Sequence, residues 1–585
     1  MSAAQGWGTP GHADRYRERV FAERARLRAD LAEMAARQQR VLADLLDFNA
    51  GTEFGQRHGF ARIRTLADYR AAVPIQDYAA HAPLIERMAE GEPNLLTADA
   101  PVVYFTSSGS TGAHKKIPVT RRFMETVFFP FYYAAWAPLI EHFPDVMDRP
   151  DAVLNLKHDP LAVPPVTADG RPHVGASQVD FGTAFGEPLS AELGTAAPWA
   201  TLPVDVAPDD HLEKMYLRLR LAVQSDVRAL IGINPAMIAA VPYQLGLWWQ
   251  RIVKDVHDGT LGGAPYGPAD PERAAQLESL ADYFGQVSPH HVWPRVRALF
   301  GWTTGVASLY MPSLRERFGA GTAVLTAPVA ASEGPVGVPL DRHPSAGSLV
   351  PSASVYEFVD ADEDLGPGSG TLLPEQLEPH RDYHVVFSHV GGLYRYAVGD
   401  IVRVVDRVAG VPRVAYAGRS TRSDAAGERL REAQVVRALE EALASTGLVL
   451  RNVACRVEEA EERAGRAPRY VFAVAPESPW LTAETERFAA LLDTALGAES
   501  PGYARALRER RLAPATVRLL HPDAFHREWH ARVADGVRPT QVKDRLFRQD
   551  ESQWRRLIAA SDERRDERRD EQRDERQDDR RGARI

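Results

Sequence analysis

"VVYFTSSGSTGAHKKIP", residues 102–118, sets the reading of the whole chain. Its apolar start, rich in β-branched and aromatic residues, reads as a strand. The strand runs into Thr106, Ser107, Ser108, Gly109, Ser110, Thr111 and Gly112, and then into Lys115 and Lys116. Small residues let backbone N–H groups approach an anion, and glycine permits the dihedral angles that such a loop needs. Hydroxyls add donors and a lysine adds a point charge. Spacing favours Lys115 over Lys116 as the inward lysine. The helix-like "RRFMETVFF" (121–129) that follows predicts a strand–loop–helix context for a phosphate loop. This is not a Walker A loop, which needs four residues between its glycines and a hydroxyl directly after the lysine. Only two residues separate Gly109 from Gly112, and Lys115 is followed by Lys116. A dinucleotide fingerprint needs a third glycine, which is missing. A polar surface turn is the plain alternative, and the density of hydroxyls and glycines counts against it.

Around this loop the chain is ordinary in bulk. It has 585 residues, 25% charged and 44% hydrophobic, enough for a large core and more than one domain. A formal charge of −9 argues against a nucleic-acid partner. The single cysteine, Cys455, excludes an internal disulfide and a cysteine-based zinc site, and fits a cytoplasmic location. The N-terminus has no apolar signal region. The stretch "FMETVFFPFYYAAWAPLIEHF" (123–143) carries Glu125, Pro130, Pro138, Glu141 and His142. It therefore predicts a buried helix, not a membrane span. Its aromatics serve either the core or a substrate pocket.

Residues 12–50 have helical periodicity. From 100 to about 430, β-rich runs such as "TAVLTAPVA" and "YHVVFSHV" alternate with helical stretches at 210–223 and 273–284. That alternation predicts an α/β fold. The polar segment 419–432 reads as a hinge between a large N-terminal domain (1–418) and a small α+β domain (433–560). Residues 561–585 are a low-complexity tail in which like charges recur four apart, as at Asp562 and Asp566 or Arg564 and Arg568. Such repulsion disfavours a helix, so disorder is expected.

Three further stretches carry chemistry. "LTAPVAASEGPVGVP" (325–339) sets Ser332 and Glu333 after a strand-like run, where a carboxylate suits Mg²⁺. "GGLYRYAVGDIVRVV" (391–405) sets Asp400 beside Gly399; read alone, it fits a turn cap as well as a ribose ligand. Arg419, in "AGRS", lies within reach of a ribose or phosphate at the boundary. Lys543, in "GVRPTQVKDRLF" (536–547), reads alone as surface charge. His384 and His389 lie near the ribose motif, where an ordinary structural role suits each better than that of a general base.

Taken together and in order, these motifs are similar to the Gretchen Hagen-type family of acyl acid amido synthetases, within the adenylate-forming superfamily. The resemblance runs from about residue 38 to 547. It includes "QQRVLADLLDFNAGTEFGQRHGF", "TSSGSTGAHKKIPVT", "GWTTGVASLYMPSLRERFG", "AASEGPVG", "GLYRYAVGD" and "QVKDRLF". It implies a large adenylate-forming domain of mixed β-sheets and helices with a small mobile C-terminal α+β domain. It also implies ATP and Mg²⁺ as cofactors, with Ser107, Ser108, Gly109, Ser110, Thr111, Gly112 and Lys115 around the ATP phosphates. By the same resemblance Ser332 belongs to the nucleotide site, Glu333 carries Mg²⁺, Asp400 binds the ribose and Arg419 lies at the hinge. Lys543 then reaches the α-phosphate and acyl carboxylate. One position departs from the family pattern: Val329 stands where an aromatic usually packs near the adenine.

The implied reaction joins a carboxylic acid, hydrophobic or aromatic, to an amine or amino acid through an acyl-AMP intermediate. An acyl-CoA or carrier-protein ligase is a second reading. A non-catalytic nucleotide-binding scaffold is a third, against which the retained loop, Glu333, Asp400 and Lys543 argue.

Overall fold

The structure is a computed structural model that describes residues 11–108, 114–156, 164–189, 193–460 and 466–561. It is α/β, with three sheets of three or more strands among the described residues of the large N-terminal part. Strands Val153–Asn155, Ala229–Ile231, Ala298–Gly301 and Ala323–Thr326 lie side by side, all parallel. Helices on both faces bury a parallel sheet, which explains apolar runs such as "ALI" and "ALFG". The run "TAVLTAPVA" does not stay in one sheet. It breaks at Ala327–Pro328, where proline has no N–H to extend the ladder. Val329–Ala331 then opens an antiparallel sheet ordered 329–331, 334–338, 347–349, 411–419, 393–408, 382–389, 355–360. Ser332 and Glu333 thus sit in the turn between the first two strands of that antiparallel sheet.

The third sheet corrects the expected setting of the opening stretch. Val103–Ser108 pairs antiparallel with His114–Val119, so the loop is a hairpin tip. Strand Val103–Ser108 also runs parallel to His173–Val174. The helix starts only at Arg121, capped by the Thr120 hydroxyl. The ladder to Val103–Ser108 makes the strand that sequence reasoning missed: Ile117 and Val119 are buried, and Lys116 reaches outward to Glu86.

Two helical expectations also change in detail. Residues 12–50 form two helices, His12–Leu31 and Met34–Asn49. The first buries Tyr16 and Val20 with Phe129 and Tyr133, whereas the second buries Leu42 and Leu45 with Phe54 and Phe60. One straight helix cannot serve both cores. Residues 123–143 are buried, as expected, but as a π-helical turn Met124–Phe128 and two short helices, Phe129–Ala134 and Ala137–His142. Pro130 and Pro138 break the α-helical ladder. Among the described residues, no helix is long and apolar enough to cross a membrane.

The C-terminal part has its own sheet: Leu450–Glu458 antiparallel to Arg469–Pro476, with Thr516–Leu519 parallel to the latter. Helices Glu432–Thr446, Thr482–Glu499 and Pro501–Arg508 pack around it. One buried apolar cluster runs from Tyr310 and Leu314 of helix Val306–Arg317 into Leu439, Val453, Cys455 and Phe472. The C-terminal part is therefore docked on that helix.

Two buried histidines give this fold an acid sensitivity. Burial pushes His389 and His530 down to about 4, from an ordinary 6.5. The unfolded chain binds the extra protons first, so stability is full above pH 6.5 and is lost as the pH falls towards 4. Between pH 7 and pH 5 each contributes a loss of about 2 kcal/mol. A thermal melt is expected to show a clearly lower Tm at pH 5 than at pH 7; equal values would contradict these burials.

Candidate active site

The three sheets and the C-terminal part enclose a chamber of about 1350 Å³. Phe105, Thr106 and Lys115 come from the hairpin sheet, Phe300 and Thr326 from the parallel sheet, and Val329 to Glu333, Ala397 to Asp400, Tyr416 and Arg419 from the antiparallel sheet. Lys543 to Phe547 line it from the C-terminal side.

Lys115 stands opposite Ser107 in the hairpin register and lines the chamber, with its amine 5.2 Å from the centre of the Tyr78 ring. Lys116, one residue on, points to the other face and pairs with Glu86 at 2.6 Å. The backbones of Ser107 and Ser108 end the first hairpin strand. Gly109, Ser110, Thr111 and Gly112 lie outside the described residues.

Ser332 donates its hydroxyl to the Thr106 carbonyl (3.1 Å), which ties the antiparallel sheet to the hairpin. Next to it, Glu333 is buried and accepts from the Tyr396 hydroxyl at 3.2 Å. Burial pushes its carboxyl above the usual range, while the Lys115 charge pulls it back. Among the described residues, no group of three or more His, Cys, Asp or Glu side chains forms a metal cage. A single protein carboxylate suits Mg²⁺, which keeps several waters and takes further oxygens from substrate phosphates.

Asp400 and Arg419 face each other across the register of strands Leu393–Val408 and Val411–Arg419. Gly399 (φ 83°) and Gly418 (φ 92°) both adopt left-handed backbone there, and the register slips beside them. A side chain at Gly418 would put its Cβ 3.0 Å from that of Glu432. Arg419 Nε lies 3.1 Å from Asp400 Oδ1, yet that buried oxygen accepts no aligned hydrogen bond. Burial raises the Asp400 carboxyl, and Arg419, Lys543 and Lys115 oppose the rise. A buried carboxylate with an unfilled acceptor fits a ligand hydroxyl.

Lys543 projects into the chamber, its amine 4.9 Å from the centre of the Trp302 ring. Its side chain is exposed towards the open chamber, with protein packed around the stem. Burial lowers its pKa below the ordinary lysine value, Arg419 adds to the fall, and Asp400 and Glu333 resist it. Lys115, Glu333, Asp400, Arg419 and Lys543, spread over more than four hundred positions, thus share one electrostatic environment.

Some neighbours carried no sequence signal of their own. Trp302 sat inside a quoted motif without a role. Tyr416 looked like any strand tyrosine, and it lies against Arg419. Glu432 reaches the chamber wall from the first residue of its helix, and burial pushes its carboxyl up to about 7. His384 and His389 do not line the chamber. His389 accepts from Gly391 N at Nδ1, so Nε2 carries the proton and donates to the Glu333 carbonyl at 2.8 Å. Both its nitrogens are occupied, which is the structural role that its sequence context favoured.

Family models for the GH3 family N-terminal, central and C-terminal domains match residues 23–323, 347–419 and 433–551. The chain belongs to the GH3 family. Among curated GH3 relatives, the rice (Oryza sativa subsp. indica) indole-3-acetic acid-amido synthetase GH3.8 is 26% identical over 436 residues, covering 70% of this chain and 70% of that protein. The Arabidopsis thaliana indole-3-acetic acid-amido synthetase GH3.2 is 23% identical, covering 69% and 78%. A solved GH3 structure, the AtGH3.15 acyl acid amido synthetase in complex with 2,4-DB, superposes with a TM-score of 0.74 at 20% identity, covering 92% of this chain and 95% of that one. The likeness supports the same GH3 fold, a large α/β part with a docked C-terminal α+β part.

Proposed function

We propose that this GH3 chain is an ATP-dependent, AMP-forming ligase that couples an aromatic carboxylic acid to an amino acid. The carrying observation is the convergence of Lys115, Glu333, Asp400, Arg419 and Lys543 in one chamber. The family names of its relatives support the amide-forming outcome.

In the first half-reaction an acid oxygen attacks the α-phosphorus of ATP, the bond to the bridging oxygen breaks, and pyrophosphate leaves. Negative charge gathers on the phosphoryl oxygens. Lys115, with the hairpin loop, holds the outer phosphates. Asp400 accepts from the ribose, and Arg419 stays beside it. Lys543 spans the α-phosphate and the acid. Preorganised charges of this kind stabilise the transition state without reorganising. Glu333 would hold Mg²⁺, which would supply positive charge against the phosphate oxygens. In the second half-reaction a neutral amine attacks the acyl carbon, the bond to AMP breaks, and the amine loses a proton. The segment 419–432 acts as the hinge, so that the C-terminal part (433–560) withdraws Lys543 from the large part (1–418) between the steps. The buried free thiol of Cys455 suits a cytoplasmic setting.

The acyl end of the chamber is lined by Phe128, Phe131, Tyr132, Trp136, Phe181 and Phe300. Phe128 stacks on Tyr132 at 5.6 Å, and Trp136 lies 4.7 Å from Phe300. Aromatic walls favour flat apolar ligands through area and ring geometry. Tyr132→Ala is expected to lower kcat/KM for aromatic acids by about 10- to 100-fold, while the KM for ATP stays within about twofold. A survey of product masses with aromatic, aliphatic and short polar acids and pooled amino acids tests the reading. Amides of aromatic acids are the expected products; turnover of short polar acids alone would reject the acyl assignment.

A further inference from the structure

Lys543 stands in a loop, and a loop lysine needs something to hold it. The segment 542–548 is fastened to its own C-terminal sheet by three hydrogen bonds. Asn452 Nδ2 donates to Asp544 Oδ1 (2.9 Å), Cys455 N to the Leu546 carbonyl (2.7 Å), and Arg548 N to the Cys455 carbonyl (2.8 Å). Two more bonds arrive from the large part and bracket the lysine on both sides. Asn234 Nδ2 donates to the carbonyl of Val542 at 2.9 Å. The Tyr310 hydroxyl donates to Asp544 Oδ2 at 2.7 Å. Asn234 is buried at the start of helix Pro235–Asp258, and Tyr310 is buried in helix Val306–Arg317. Both donors therefore sit on rigid elements that also wall the chamber.

We propose that Asn234 and Tyr310 are positioning residues that clamp the backbone on either side of Lys543 and hold its amine in the chamber for adenylation. This rests on the reading that Lys543 acts in adenylation. The three bonds to the C-terminal sheet travel with that part, whereas the two clamp bonds cross to the large part and must break when the lysine withdraws. The clamp thus favours the adenylating arrangement and contributes nothing to aminolysis. The Asp544 carboxylate sits under low-dielectric cover, with burial raising its pKa and the Tyr310 and Asn452 bonds lowering it. A bond to a charged acceptor in such a place is stronger than one between neutral groups.

The test uses the full chain and two conservative variants. Tyr310→Phe deletes only the hydroxyl. Asn234→Ser deletes the donor to Val542 but keeps a side-chain oxygen for the cap that Asn234 Oδ1 now provides to Ala236 N. Each is expected to slow acid-dependent ATP–pyrophosphate exchange about tenfold. Aminolysis of supplied acyl-AMP is expected to stay within about twofold in both. On a Lys543→Ala background neither is expected to slow the residual exchange further, because no amine remains to position. Equal loss in both half-reactions, or further loss on the Lys543→Ala background, would show a merely structural role and overturn the proposal. Normal exchange in both variants beside a defective Lys543→Ala would overturn the clamp alone. Normal exchange in Lys543→Ala itself would overturn the lysine's assignment, and the clamp with it.

Discussion

Lys543→Ala is expected to slow acid-dependent ATP–pyrophosphate exchange by about 10²–10³-fold, the usual effect of removing one preorganised charge from a phosphoryl-transfer site. Transfer from supplied acyl-AMP to an amino acid is expected to stay within about threefold, because the lysine has left the chamber by then. The structure gives the physical ground for so large an effect. The amine lies over the Trp302 ring at the open chamber, its pKa is lowered by the surrounding protein and by Arg419, and Asp400 and Glu333 act on it in the opposite sense. A charge held there acts at reduced dielectric, where its interaction with a phosphate is far stronger than at the surface. Comparing the two half-reactions on one preparation checks this. Equal loss in both would contradict the two-step use of one chamber.

Glu333→Gln is expected to lower adenylation by about 100-fold and to raise the Mg²⁺ concentration for half-maximal rate by at least about tenfold. Glutamine keeps the volume and an acceptor for the Tyr396 hydroxyl, so the fold should survive. What disappears is the negative charge. A pH dependence follows from the same residue. Burial raises the Glu333 carboxyl above its ordinary value, so protons compete with the cation. In the wild-type chain the Mg²⁺ requirement should therefore rise as the pH falls, and in the variant this dependence should flatten. MgCl₂ titrations of exchange at several pH values, with a thermal melt as control, provide the check. An unchanged Mg²⁺ requirement in Glu333→Gln would remove this residue from the metal's site.

Much of this was legible before any fold was known, because the informative residues are those whose chemistry is local. The hydroxyls and glycines of 106–112 mark a candidate anion loop within a few positions, whereas the "ASEG" around Glu333 and the "VGD" around Asp400 gain a reading only from the order of the motifs along the chain. The strand in "YHVVFSHV" and the helices at 210–223 and 273–284 followed from sequence pattern nearly to the residue, as Asp382–His389, His211–Ala222 and Pro271–Phe284. What stayed hidden depends on distant partners. The "HKKIPV" stretch reads as a loop until Val103–Ser108 supplies its ladder. "TAVLTAPVA" reads as one strand until Pro328 divides it between two sheets. Pro130 and Pro138 were visible, but the split into a π-helical turn and two short helices goes with packing on distant elements, the turn against strand Gly334–Val338 and the two helices against the first helix. Trp302, Tyr416 and Glu432 reach the chamber only through tertiary placement, and nothing in their neighbouring residues announces it.

The central claim is that one chamber adenylates a carboxylic acid. The most direct test is ATP–pyrophosphate exchange with Mg²⁺ and a panel of aromatic, aliphatic and short polar acids, in the absence of any amine. The account predicts exchange that depends on the acid, is strongest for aromatic acids, and is lost in Lys543→Ala. Exchange that ignores the acid, or no exchange with any acid alone or with pooled amino acids present, would contradict it.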